Sequence, residues 1–178
     1  MIDLDRINDY FRMSDNVKLL EEGRINLVSP TFAGQGVTQT NMPAAVGSAF
    51  AQDWDLVIFD VGGDPEGAAA LGCDRDRYAK AGYDMYFVCS FYRPATLCAE
   101  DALTLLRETE LASGMRFCGI INNSNLGRLT EPSTVEATLA EGEKLARLAR
   151  IPVAAVTAAV PLSCAKAVRI QNLTKQLF

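Results

Sequence analysis

The chain has 178 residues, 49% of them hydrophobic, and a formal charge of −5, which suits one globular domain with a sizeable core and gives no electrostatic reason for non-specific binding to DNA or anionic lipid. It has no histidine, which removes the commonest general base and every Ser-His-Asp or Cys-His arrangement, and its five cysteines form no Cys-x-x-Cys pair that would suggest zinc. With no signal-peptide pattern and no apolar run of about 18 residues, a cytoplasmic, reducing location is expected.

Residues 1–4 read as the end of a strand entered abruptly, with Asp3 and Asp5 alternating with Ile2 and Leu4 so that the two carboxylates share one face. A short helix is expected over 15–22, ended by Gly23, and a strand over 25–29, closed by Pro30. The Gly-, Thr- and Gln-rich stretch 31–41 has no periodicity and reads as a loop. Residues 43–50 suit a short helix. The continuous apolar run 56–59 suits a parallel strand covered on both faces, and Asp60 at its end opens onto Gly62, Gly63 and Asp64. A helix follows over 65–81, with Pro65 in its first turn and Gly82 beyond its end.

Farther on, the pattern predicts a strand at 85–89 and a helix at 99–112 lined by Leu103, Leu106 and Leu111 and stopped by Gly114. A strand at 117–121 delivers Asn122, Asn123, Ser124 and Asn125 at its end. A long helix at 133–150 runs through Gly142, a strand occupies 153–157, and beyond Pro161 a last helix is expected from 162 to about 174. Such alternation predicts right-handed crossovers and an α/β fold: one domain over 1–178, with an open, mostly parallel sheet and helices on both faces.

In open parallel sheets ligands lie beyond the carboxyl ends of the strands. Asp5, Asp60, Ser90 and the asparagines at 122, 123 and 125 all fall at such ends and would converge on one edge. A carboxylate at Asp60 can hold a magnesium-bound water while Gly62 and Gly63 let backbone approach a phosphate; alternatively the glycines make a tight turn and Asp60 caps the next helix. Asp64, just before Pro65, suits an N-cap. Asn122 and Asn123 can offer donors and acceptors to a purine edge, or form a solvent-facing turn. Arg6, Arg12 and Arg93 can bring positive charge to a phosphate or a carboxylate partner, and Trp54 suits packing or an interface. A Walker A segment is absent, because none of Lys18, Lys80, Lys144, Lys166 or Lys175 follows a glycine. Gly34 and Gly36 resemble a phosphate cradle only in their spacing.

Residues 2–12 (Ile-Asp-Leu-Asp-Arg-Ile-Asn-Asp-Tyr-Phe-Arg), 57–64 (Val-Ile-Phe-Asp-Val-Gly-Gly-Asp), Arg93-Pro94 and 119–124 (Gly-Ile-Ile-Asn-Asn-Ser) together resemble the ParA/MinD class of P-loop ATPases, the CobQ/CobB/MinD/ParA nucleotide-binding domain family. That resemblance implies a site for ATP and Mg2+. Asp5 matches the carboxylate that organises magnesium and attacking water, and Asp60 the Walker B aspartate. Gly63 matches the switch glycine near the γ-phosphate. Asn123, beside Asn122, matches the asparagine that reads adenine, with 158–161 as the loop flanking the base. Asn8, Tyr10, Phe11 and Arg12 match a loop facing the nucleotide or a partner subunit, with Arg93 at the edge of the site.

In the family a strand, a lysine-containing P-loop and its helix, roughly 30 to 40 residues, precede the position where this sequence starts. The resemblance therefore implies an N-terminally incomplete domain, explained by a misplaced gene start, a fragment, or strands that have closed up or borrowed a neighbour's strand. The absent strand would lie centrally, beside the one ending at Asp60, exposing backbone and apolar side chains on both neighbours. Mg-ATP hydrolysis coupled to a homodimer or protein partner is the expectation for a form carrying the P-loop. The alternative is a non-catalytic α/β scaffold that binds protein through 32–46 or 10–12. No nucleic-acid signature or membrane segment is read from the sequence.

Overall fold

The computed structural model describes residues 1–5, 13–28, 42–171 and 173. Apolar runs separated by crossover-length segments pair in parallel, as expected, but they form two ladders rather than one. The first joins β1 (Ile2–Asp3) to β2 (Phe59–Asp60), with Asp3 level with Asp60. Val28 bridges the far side of β1, so the expected strand at 25–29 is reduced, among the described residues, to one bridge. The second ladder runs β3 (Tyr86–Cys89), β4 (Gly119–Asn122), β5 (Val153–Ala158), β6 (Ala167–Arg169), all parallel. No ladder joins β2 to β3.

Around these lie α1 (Val17–Glu22), α2 (Met42–Ala51), α3 (Pro65–Gly72), α4 (Arg75–Ala81), α5 (Ala99–Ser113), α6 (Pro132–Glu136) and α7 (Leu139–Ala149). The chain thus has the α/β class and the mostly parallel sheet flanked by helices. On the four-stranded sheet, α5 and α7 cover the face of Phe87, Cys89 and Ile120, burying Leu106 and Leu145 completely. Each such side chain contributes about 1.5–3 kcal/mol by leaving water. Tyr86, Val88 and Val168 point to the other face and are exposed. Among the described residues no helix is long and apolar enough to cross a membrane.

Several helices depart from expectation for local reasons. The stretch 65–81 is two helices, because Gly72 weakens the first and the Asp74 carbonyl starts the second by accepting from the N–H of Arg77 and Tyr78. The break turns Tyr78 inward onto Phe50 and Phe59. The stretch 133–150 is likewise two helices. Thr138 interrupts it, its hydroxyl donating to the Val135 carbonyl at 2.7 Å while its own carbonyl receives Gly142 N–H. Leu111 does not join Leu106 on the packed face: the buried stripe of α5 is Ala99, Ala102, Leu106, Thr109, Glu110 and Ser113, and Leu111 is 85% exposed. The C-terminal helix from 162 to 174 is overturned. Residues 167–169 form edge strand β6, with Val156 N–H donating to the Lys166 carbonyl and Ile170 N–H to the Ala158 carbonyl, each at 2.9 Å. An open β5 edge with alternating Ala167, Val168 and Arg169 beside it outweighs a weak helical pattern. By contrast Gly114 ends α5 at φ 67°, the left-handed conformation only glycine adopts cheaply.

One acid lies inside the larger core. Glu110 accepts from Arg107 Nη1 at 2.6 Å, Arg116 Nη1 at 2.7 Å and the Phe117 N–H at 3.1 Å. Burial pushes its carboxyl up, but these donors outweigh burial and hold it below the usual glutamate value. The smaller core joins Ile2, Leu4, Val46, Leu71, Tyr78 and Met115, and Met85 packs against both cores.

Candidate functional site

The parallel register of β1 and β2 brings their carboxyl ends level, and with them Asp3, Asp5 and Asp60. Asp5 N–H donates to Asp3 Oδ1 at 3.0 Å. Partial burial, then the carboxylates of Asp3 and Asp5, raise the Asp60 carboxyl above its ordinary value. Asp5 also lies against the glycine turn: a Cβ on Gly62 would sit 3.4 Å from Asp5 Oδ1. Helix α3 presses on the same turn, since a Cβ on Gly67 would lie 2.9 Å from Gly62 Cα, closer than real contacts allow. A Cβ on Gly63 would meet nothing within 4 Å.

The helix cap is Asp64, not Asp60. Its Oδ1 accepts from Gly67 N–H at 2.6 Å. Asp60 therefore has no capping duty. Among the described residues no three acidic, cysteine or histidine side chains gather closely enough to hold a metal ion.

The asparagines stand at the end of β4 in the other sheet, and adjacent residues do different work because side chains alternate along a strand. Asn122 is buried. Its Oδ1 accepts from Ser124 Oγ at 2.6 Å and Ser124 N–H at 3.2 Å, and its Nδ2 donates to Thr138 Oγ1 at 3.0 Å. Ser124 Oγ in turn accepts from Phe91 N–H at 3.0 Å. Helix α7 passes this joint closely, and a Cβ on Gly142 would lie in van der Waals contact with Asn122 Nδ2, 3.4 Å away. Asn122 therefore ties β4 to the loop after β3 and to the α6–α7 turn, and its side chain is closed off from solvent.

Asn123 is half-buried. Its Oδ1 accepts from Thr157 Oγ1 at 2.8 Å and Asn125 Nδ2 at 2.7 Å, leaving its Nδ2 without a partner among the described residues. Asn125 also donates to the Thr157 carbonyl at 2.9 Å and accepts from Ala159 N–H at 3.4 Å. Beside Ala159 lies an open surface depression of about 490 Å³ bordered, among the described residues, by Arg169, Ile170 and Gln171. The resemblance implied a base-flanking loop at 158–161, and the sequence reading left Arg169 and Gln171 in a helix, whereas both border the depression beside Ala159. The alternation after Lys166 was the signal that could have found them.

Arg93 is exposed and opens the Pro94–Thr96 turn after β3, held by its N–H to the Ser90 carbonyl at 3.1 Å. It makes no ion pair among the described residues. Asn8, Tyr10, Phe11 and Arg12 lie outside the described residues, as do Arg6, Gly34 and Gly36. The structure thus brings together Asp5, Asp60 and the Gly62–Gly63 turn in one sheet, and Asn123, Asn125 and Thr157 in the other, both at carboxyl ends. No family model, curated protein or solved structure matches the chain.

Proposed function

We propose that the carboxyl ends of the two sheets bind a magnesium nucleotide, ATP in the first instance, with the phosphates at the Asp5–Asp60 end and the base at Asn123. The observation that carries this reading is the parallel register that sets the strand ends of Asp3, Asp5 and Asp60 level beside an open glycine turn, where backbone can approach a phosphate. Magnesium, when bound, neutralises phosphate charge. Asp60 and Asp5 accept hydrogen bonds from its water shell and fix their direction. The Gly62–Gly63 backbone lets a phosphate oxygen approach without meeting a side chain. At the other end, Asn123 Nδ2 donates to an acceptor on the base edge, and the depression beside Ala159 gives the ring system room.

Hydrolysis asks more than this. The phosphates need converging N–H donors and a cation, which the ParA/MinD resemblance assigns to a P-loop that this sequence lacks. Binding without turnover is accordingly the activity proposed for the chain as given, and slow hydrolysis for a form that carries the P-loop.

Calorimetric titration with ATP in magnesium and in EDTA tests this. The wild type binds only with magnesium, and Asp60→Asn weakens binding by about tenfold or more, one lost charge-assisted contact. The substitution also has a signature opposite to damage. Because the Asp60 carboxyl is raised in the fold, its ionisation opposes folding once pH rises above the unfolded value, so Asp60→Asn unfolds at a higher temperature at pH 7 without ligand. Equal affinity in wild type and variant, or no binding at millimolar Mg-ATP, sinks the reading. A protein-binding scaffold is the second reading, favoured by the exposed apolar side chains on either side of the break between β2 and β3.

A further inference from the structure

The direction of the Asn123 amide is set by the backbone through Asn125. Which end of an asparagine side chain faces a neighbour is decided by groups that can only donate or only accept. Asn125 meets one of each. Its Nδ2 lies 2.9 Å from the Thr157 carbonyl, which only accepts, and its Oδ1 lies 3.4 Å from the Ala159 N–H, which only donates. With Asn125 held that way round, its Nδ2 also reaches Asn123 at 2.7 Å, where it needs an oxygen. Thr157 Oγ1 donates to the same oxygen at 2.8 Å, nearer than the Asn122 carbonyl at 3.4 Å.

Both lone pairs of Asn123 Oδ1 are thereby taken, and its Nδ2, with no partner among the described residues, is the group left to a ligand. Turning the Asn123 amide over would set its Nδ2 against Asn125 Nδ2, donor against donor. Turning Asn125 as well would set an oxygen against the Thr157 carbonyl. The relay also reaches the open depression, because Ala159 both donates to Asn125 and borders that space.

A donor without an acceptor beside it distinguishes purines. Adenine is matched by an amide that donates to N7 and accepts from the 6-amino group, whereas guanine offers two acceptors, N7 and O6, side by side. Asn123 has no oxygen to spare for a 6-amino group. Against adenine its Nδ2 hydrogens meet the amino hydrogens, and against a 6-oxopurine they meet acceptors.

We propose that the base subsite at Asn123 takes a 6-oxopurine, guanine or hypoxanthine, in preference to adenine. Asn123 reads position 6 of the ring, and Asn125 and Thr157 are positioning residues that keep its donor turned to the base. Base selection of this kind rests on the nucleotide reading above, but departs from the adenine that the resemblance implies.

Calorimetric titration of the full 178-residue chain with Mg-GTP, Mg-ITP and Mg-ATP tests it. GTP and ITP are expected to bind alike and about tenfold or more tighter than ATP, the discrimination of one good base contact. Because ITP lacks the 2-amino group, its parity with GTP assigns the reading to position 6. Asn123→Asp keeps an oxygen for Asn125 and Thr157 and turns the remaining group from donor to acceptor, so the GTP-to-ATP preference should fall by about tenfold or more. Asn125→Ala frees the Asn123 amide to turn over and should bring that preference toward one, whereas a role in folding alone would weaken both nucleotides equally. Should either variant fold poorly, ITP against ATP decides on the unaltered chain, because those bases differ only at position 6 and the N1 proton that goes with it. ATP binding as tightly as GTP, ITP behaving like ATP, or an unchanged preference in either variant overturns the base selection and leaves nucleotide binding standing. No binding of any of the three at millimolar concentration overturns both.

Discussion

Glu110→Ala is expected to lower the free energy of unfolding by about 3 kcal/mol, the low end of the cost of breaking a buried ion pair from one side. The low end applies because the damage is uneven. The glutamate side chain is 4% exposed, whereas those of Arg107 and Arg116 are 44% and 79% exposed and return largely to water when their partner goes. What cannot return is the Phe117 N–H, which loses its acceptor beside the Phe87–Phe117 ring pair. Glu110→Gln keeps an oxygen for that N–H and costs less, about 1–2 kcal/mol.

The pH dependence has a definite sign. A carboxyl held below its unfolded value contributes stability that is fully present above that value, about 4.5, and is lost as pH falls through the lower folded value. Urea unfolding between about pH 3 and 7 should therefore show the wild type losing its advantage over Glu110→Gln as pH falls below about 4.5, the variant following a flatter profile. Parallel profiles would mean that the ion pairs contribute nothing to the fold.

The second large effect separates two neighbouring residues of identical chemistry. Asn122→Ala is expected to destabilise by about 2–3 kcal/mol, because it strands the Ser124 N–H and hydroxyl and removes the donor to Thr138 in a fully buried joint. Asn123→Ala should cost under about 1 kcal/mol, since Thr157 and Asn125 reach water at the strand crest. Under the proposed function the ranking inverts for ligand: Asn123→Ala weakens nucleotide binding and Asn122→Ala, where folded, does not. Thermal unfolding and calorimetric titration of both variants decide it. Equal destabilisation by the two would remove the division of labour inferred from the hydrogen bonds.

What could be read in advance follows from how locally each feature is determined. The strands before Ser90 and Asn122 and the one after Ile151 are short apolar runs between polar segments, a pattern with few alternatives in an α/β chain, and they formed within two residues of expectation. The start of α3 and the end of α5 were equally legible, because Asp64-Pro65 and Gly114 act through their own backbone geometry. Asp5 and Asp60 could be placed together because strand ends align once strands pair in parallel.

Non-local choices were not legible. Residues 167–169 became a strand because β5 had a free edge, which no local propensity records. Asn122 could not be told from Asn123 without knowing which side of β4 faces α7. Leu111 looked like core because it is a leucine, but on α5 it stands away from the stripe set by Ala102, Leu106 and Thr109. The division of the strands into two ladders has no local signal either.

The smaller core runs against the direction of synthesis. Ile2 and Leu4 are made well before the side chains that bury them, which include Leu71, Tyr78 and Met115, and the strand that pairs with them ends at Asp60. The larger ladder closes through successive crossovers between neighbours in sequence, whereas the first strand must wait across a long loop whose closure costs entropy. Each nascent chain therefore carries Ile2 and Leu4 without their full cover until Met115 has been made.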